Sequence, residues 1–211
     1  MATLKNGLSG GFSGKVGNII GSSCRGVEYI KSVPSKMTNP RSKGQTRQRS
    51  SFIVIQSFLR TFTPIIRIGF QEFAVDGKSA FNAAMSYNMI NGIKEGVDGI
   101  VIDYKNILIS KGPLYCSSTI KAGVFNYELK FEWDSENKYN AYKHDQVMVL
   151  AYNTAKAESV YDINAGKRRD ESTFIELPES WCGDVIETYV AFKNMASTMV
   201  SNSLYTGGFT V

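Results

Sequence analysis

The residues able to do chemistry are few and far apart in this chain of 211 residues. His144 is the only histidine, set in the polar run KYNAYKHDQ. A Ser or Cys nucleophile would need it as a base, yet there is no GxSxG elbow and no papain-type cysteine signature. Cys24, Cys116 and Cys182 are widely spaced, never form a CxxC pair, and with one histidine give no metal-ligand spacing. GGFSGKV, Gly10 to Val16, invites comparison with a phosphate-binding loop. Its spacing differs, Val16 stands where Ser or Thr would bind magnesium, and no apolar strand precedes it. Glu128, Glu132, Asp134 and Glu136 form an acidic face, the pattern of a solvated strand rather than of an acid/base pair. The expectation is a protein that is not an enzyme, with no catalytic residue, no metal ligand and no cofactor.

Charge is the stronger signal. Up to Arg67 there are eleven Lys or Arg against Glu28 alone, a balance of +10, while the remainder carries thirteen basic and eighteen acidic residues, a balance of −5. Such a split suits a polyanionic partner or the acidic half of a neighbouring copy; the plain alternative is a solvated basic face. The candidate contacts are Lys15, Arg25, Lys31, Lys36, Arg41, Lys43, Arg47, Arg49 and Arg60. Gln45 and Gln48 add hydrogen-bonding capacity for a nucleic acid backbone or base edge, though no helix-turn-helix spacing or aromatic stacking motif accompanies them.

These residues sit on a chain whose periodicity changes along its length. Gly7, Gly10, Gly11, Gly14, Gly17, Gly21 and Gly26 make a helix unfavourable near the start, since each interior glycine costs ~1 kcal/mol against alanine. Val16–Cys24 and Val27–Val33 read as two strands joined at Arg25-Gly26, a ribbon too small to stand alone in water. From Asn39 the run NPRSKGQTRQRSSFIVIQSFLRTFTPIIRIGF enters a helix carried to about Thr61, with Phe52, Ile55, Leu59 and Phe62 close to one face. Thr63-Pro64 opens a second helix, and a third covers Ser79 to Ile90, ended by Gly92 and Gly96. From Gly99 the period becomes two. Leu129, Phe131 and Trp133 alternate with charged residues, and Gln146 to Tyr152 is apolar on both faces, as suits a central strand. The expected division is a basic hairpin-plus-helix module over 1–98 and a strand-rich connector with a sandwich over 99–211.

Two resemblances follow from these motifs. FEWD (Phe131 to Asp134), TYVAFKN (Thr188 to Asn194) and VSNSLY (Val200 to Tyr205) resemble the second and the last two strands of a fibronectin type III or immunoglobulin-like sandwich. With the hairpin and helices read above, the expected fold is α+β: an N-terminal β-hairpin plus helices, then the C-terminal antiparallel β-sandwich that the resemblance implies. Its core would hold Leu129, Phe131, Trp133, Val149, Leu177, Tyr189 and Ala191, with Tyr189 as the core tyrosine. Separately, GGFSGKVGN, the RGxxY segment at Arg25, Gly26 and Tyr29, and NPRSKGQTRQRSSF resemble the start of an uncharacterised family from Bacteroidota that also ends in VSNSxY. Comparable NPxTxxQxxRxxF patterns occur in phage-associated proteins, and Ser42 departs from the pattern where Thr is usual.

The expectation is a structural or assembly protein that self-associates or docks on a larger assembly, such as a phage or prophage virion. Its alternative is a nucleic-acid-binding protein using residues 36–60. Partners would be further copies or other structural subunits. No apolar run approaches the ~20 residues of a membrane span and the start has no apolar h-region, so the expected location is cytoplasmic or virion.

Overall fold

The computed structural model describes residues 11–24, 26–35, 39, 41–75, 77–96, 99–117, 119–134 and 144–211, with the backbone of Thr3–Leu4. It is an α+β protein built as two compact units, Met1–Lys43 with Val75–Gly77, and Gly44–Ala74 with Lys78–Val211.

The first unit is an antiparallel meander of β1 (Thr3–Leu4), β2 (Phe12–Val16), β3 (Ile19–Cys24) and β4 (Val27–Ser32) in that order. Val16 pairs with Ile19 and Cys24 with Val27, so two-residue reversals join β2 to β3 and β3 to β4. The second reversal lies where Arg25-Gly26 places it, and Gly26 takes φ +81°, a left-handed value that favours glycine. The first was not expected: residues 16–24 are not one strand, because the chain turns at Gly17-Asn18. A Gly-Asn pair is a two-residue turn signal in its own right.

The second unit begins with α1 (Lys43–Arg60), α2 (Thr63–Gly69) and α3 (Ala80–Asn91). Pro64 sits in the first turn of α2, and Ser79 caps α3, its Oγ accepting from Asn82 N–H at 2.9 Å. Gly92 closes α3, donating its N–H to the Asn88 carbonyl at 2.8 Å. The buried stripe of α1 is Ser51, Ile55, Phe58 and Leu59, leaving Phe52 44% exposed. Phe52 therefore does not belong to the core face expected of it. Positions 51, 55, 58, 59 and 62 follow the helical period, and Phe52 lies off their common side.

A short ribbon of β5 (Ile93–Gly96) and β6 (Gly99–Ile102) leads to the sandwich. Its strands are β7 (Ile120–Phe125), β8 (Glu128–Trp133), β9 (Gln146–Asn153), β10 (Glu158–Lys167), β11 (Ser172–Glu176), β12 (Val185–Lys193) and β13 (Leu204–Thr210). One sheet has the order β11-β8-β7 and the other β10-β9-β12-β13, all antiparallel. Two sheets of three and four strands, with the chain crossing between them after β8, β10 and β11, are the arrangement of a fibronectin III or immunoglobulin-like sandwich.

Two cores meet at the larger sheet. Leu129, Phe131, Trp133, Val147, Val149, Ala151, Leu177, Val190 and Phe192 fill the space between the sheets. On the opposite face Ile55, Phe58, Phe62, Ile65, Ile66 and Ala84 of the helical layer pack with Leu150, Tyr152 and Tyr189. Residues 147–153 are thus buried on both faces, which is why β9 is apolar throughout. Two corrections follow. Tyr189 and Ala191 are fully buried, but on the helical side of β12 rather than between the sheets, because strand neighbours alternate in direction. The helices share the core of the sandwich unit, so the division falls near Lys43 instead of near residue 98.

Candidate assembly surface

His144 and Cys116 both border the buried Asp145–Arg168 pair, His144 acting on Asp145 and Cys116 on Arg168. His144 is an exposed turn residue just ahead of β9, and all three cysteines are free. Burial pushes the Cys116 thiol above its ordinary pKa, which disfavours the reactive thiolate. Among the described residues no group of His, Cys, Asp or Glu could hold a metal ion. Glu128 and Glu132 lie on the solvent side of β8, where Lys130 Nζ meets Glu132 Oε1 at 2.7 Å and its hydrogen bond lowers the carboxyl pKa. Gly7, Gly10, Arg25, Lys36, Pro40 and Glu136 fall outside the described residues.

The VSNS segment holds the most concentrated set of hydroxyls, and its geometry is that of a fastener. Ser203 Oγ accepts from Ile109 N–H at 3.0 Å, and Ser110 Oγ donates to the Ser201 carbonyl at 2.6 Å. Ser201 Oγ accepts from Phe192 N–H at 2.9 Å, and Asn202 Oδ1 from Gly112 N–H at 3.2 Å. Gly112 is required by close approach, since a Cβ there would stand 2.3 Å from the Val200 carbonyl oxygen. These contacts pin residues 109–114 to the stretch that leads into β13.

A buried charge cluster closes one end of the sandwich. Arg168 is 1% exposed, its guanidinium 3.8 Å from the Phe192 ring centroid, with Nη2 donating to the Tyr115 carbonyl at 2.6 Å. Asp145 Oδ2 lies 3.5 Å from that nitrogen, and Trp133 Nε1 donates to the Arg168 carbonyl at 2.6 Å. Burial raises the Asp145 pKa, against the Arg168 charge, and burial lowers that of Arg168, against Asp145. Phe192 and Trp133 pack against the pair as members of the core between the sheets.

The first unit presents the opposite situation. Gly21 is its sole buried residue among those described, and Phe12 lies over it. Val16, Ile19, Val27, Tyr29 and Ile30 are 51%, 42%, 54%, 41% and 66% exposed. The register aligns Lys15, Ile20 and Lys31 in one cross-strand row, so two of the basic candidates share a face with an isoleucine between them. Lys31 Nζ stands 5.9 Å from its neighbour's ring at Tyr29. Antiparallel sheets of this size need one face covered to be stable. Neither the glycine spacing nor the charge count revealed how much apolar surface this sheet leaves open; the cue was the clustering of Val, Ile and Tyr in strands too glycine-rich to build a core.

The remaining basic candidates line the approach to α1 and its solvent side. Arg41, Lys43, Arg47, Arg49 and Arg60 are all exposed, and residues 41–50 carry no buried position. Arg47 pairs with Glu95 of β5 at 2.9 Å. Ile53, 64% exposed, lies with Phe52, Gln48 and Arg49 around a shallow apolar hollow on the helix. Lys15 and Lys31 belong to one unit, and Arg47, Arg49 and Arg60 to the other.

No curated protein and no solved structure matches the chain. A family model does, and it spans both units over residues 11–207. With nearly the whole length matched, the chain belongs to a family of unknown function, DUF6266.

Proposed function

We propose that this chain is a non-enzymatic structural protein that self-associates, a subunit of a larger assembly of the phage or prophage virion type. The observation that carries the reading is the first unit, a sheet of apolar side chains with one buried residue among those described. Water-exposed on both faces, such a sheet gains stability when another surface removes Val16, Val27, Tyr29 and Ile30 from solvent. The opposed charge balance of the two parts of the chain supports a second copy as that surface, since each basic segment can meet an acidic one. The virion setting rests on the NPRSKGQTRQRSSF resemblance alone.

Light scattering on the nuclease-treated full chain, at low and at high salt, tests the reading. A discrete oligomer or a polymer is expected. A mass of one chain at the highest attainable concentration overturns it.

The exposed Lys43, Arg47 and Arg49 support a second reading, nucleic-acid binding by residues 36–60. It predicts affinity that falls steeply with salt, with a slope reduced by ~1 for each of Arg47→Ala and Arg49→Ala. Absent or salt-independent binding removes it. The Arg47–Glu95 pair at 2.9 Å weighs against it, because a phosphate would have to displace that carboxylate.

A further inference from the structure

We infer that β4 is the edge through which two copies of this chain join, in an antiparallel pair whose two-fold axis passes at Ile30. The inference rests on the self-association reading and adds its contact and register.

β4 is the outer strand of its sheet, and no described strand pairs with its far side. Val33 N–H donates to the Asn18 carbonyl at 2.9 Å, and the register runs on unbroken from Ile19↔Ser32 to Cys24↔Val27. In an antiparallel ladder alternate residues bond to a given neighbour. Val27, Tyr29 and Lys31 therefore bond inward to β3, and Glu28, Ile30 and Ser32 turn their N–H and C=O groups to the open side. β4 has no proline and no bulge, two of the devices that blunt an edge.

Two like strands meeting about an axis normal to the sheet must pair residues of the same face. Centred on Ile30, the pairing sets Ile30 against Ile30 of the second copy and Glu28 against Ser32, and every outward group of these three residues finds a partner. Lys31 then faces Tyr29 of the second copy, a cation over an aromatic ring, as it already does within its own chain at 5.9 Å. The neighbouring registers fare worse. A centre on Tyr29 leaves Ser32 outside the ladder and puts the Lys31 ammonium beside Val27. A centre on Lys31 sets two ammonium groups directly opposite, which is destabilising. The strand is thus complementary to itself in charge and in hydrogen bonding at one register, a property that an unrelated partner strand would not require.

The test uses the full chain with exposed Cys24 and Cys182 replaced by Ser, carrying Ile30→Cys. Ile30 is 66% exposed, so the change disturbs no core. Hydrogen-bonded antiparallel partners have Cα atoms about 5.5 Å apart, within disulfide range. Mild oxidation is expected to give a disulfide-linked dimer, whereas Val27→Cys in the same background, far from its own copy in this register, stays largely unlinked. Equal cross-linking of both variants, or none of either, overturns the pairing. Light scattering on the same samples separates the two levels. An oligomer without the Ile30→Cys link leaves self-association standing and removes this edge; a monomer removes both.

Discussion

At the residue scale the most consequential pair is Asp145 and Arg168. Arg168 is held by the Phe192 ring, the Tyr115 carbonyl and Asp145, in a site 1% exposed. A guanidinium removed from water in this way depends on its counter-charge, and removing one partner of a buried pair costs about 3–5 kcal/mol. Asp145→Ala is therefore expected to lower the unfolding free energy by about that amount, read from the midpoint of a urea titration. A near-neutral effect would mean that stacking on Phe192 and the Tyr115 carbonyl suffice to hold the charge. The VSNS hydroxyls are buried polar groups of another kind, neutral and satisfied by backbone: Ser201, Ser203 and Ser110 each bond to it across the fold.

At the scale of elements, what could be read from sequence was what local chemistry decides. Ser79 and Gly92 bound α3 within a residue of the sequence reading, because capping and termination are set by neighbours in the chain. The alternation of Leu129, Phe131 and Trp133 gave β8 and its inward face. β9 was legible as a central strand, yet which layer covered each face was not. That depends on the helices returning to the sheet, which no periodicity records. The same tertiary choice decided that Tyr189 faces Tyr104, donating to its carbonyl at 2.7 Å, instead of the space between the sheets. It also left Phe52 on the outside of α1, since apolar positions alone do not rank Phe52 below Phe58. The candidate contact residues were legible as charge but not as a surface: the structure divides them between two units, and Arg47 meets Glu95 of its own chain.

On the scale of the whole molecule, the two units differ in how they are held together. Helices, four-stranded sheet and three-stranded sheet form layers with a core on each side of the larger sheet. The N-terminal meander has backbone ladders, exposed apolar side chains and an open β4 edge. A sheet of this kind is expected to be stabilised by association, with its amides slowing in exchange as contacts form. Amide hydrogen exchange of the full chain at low and high protein concentration tests that claim most directly. The account predicts that Glu28, Ile30 and Ser32 become better protected as concentration rises, while residues 146–153 of β9 remain equally protected throughout. Exchange along β4 that does not change with concentration, in samples whose mass shows an oligomer, would contradict it and place the contact elsewhere on the molecule.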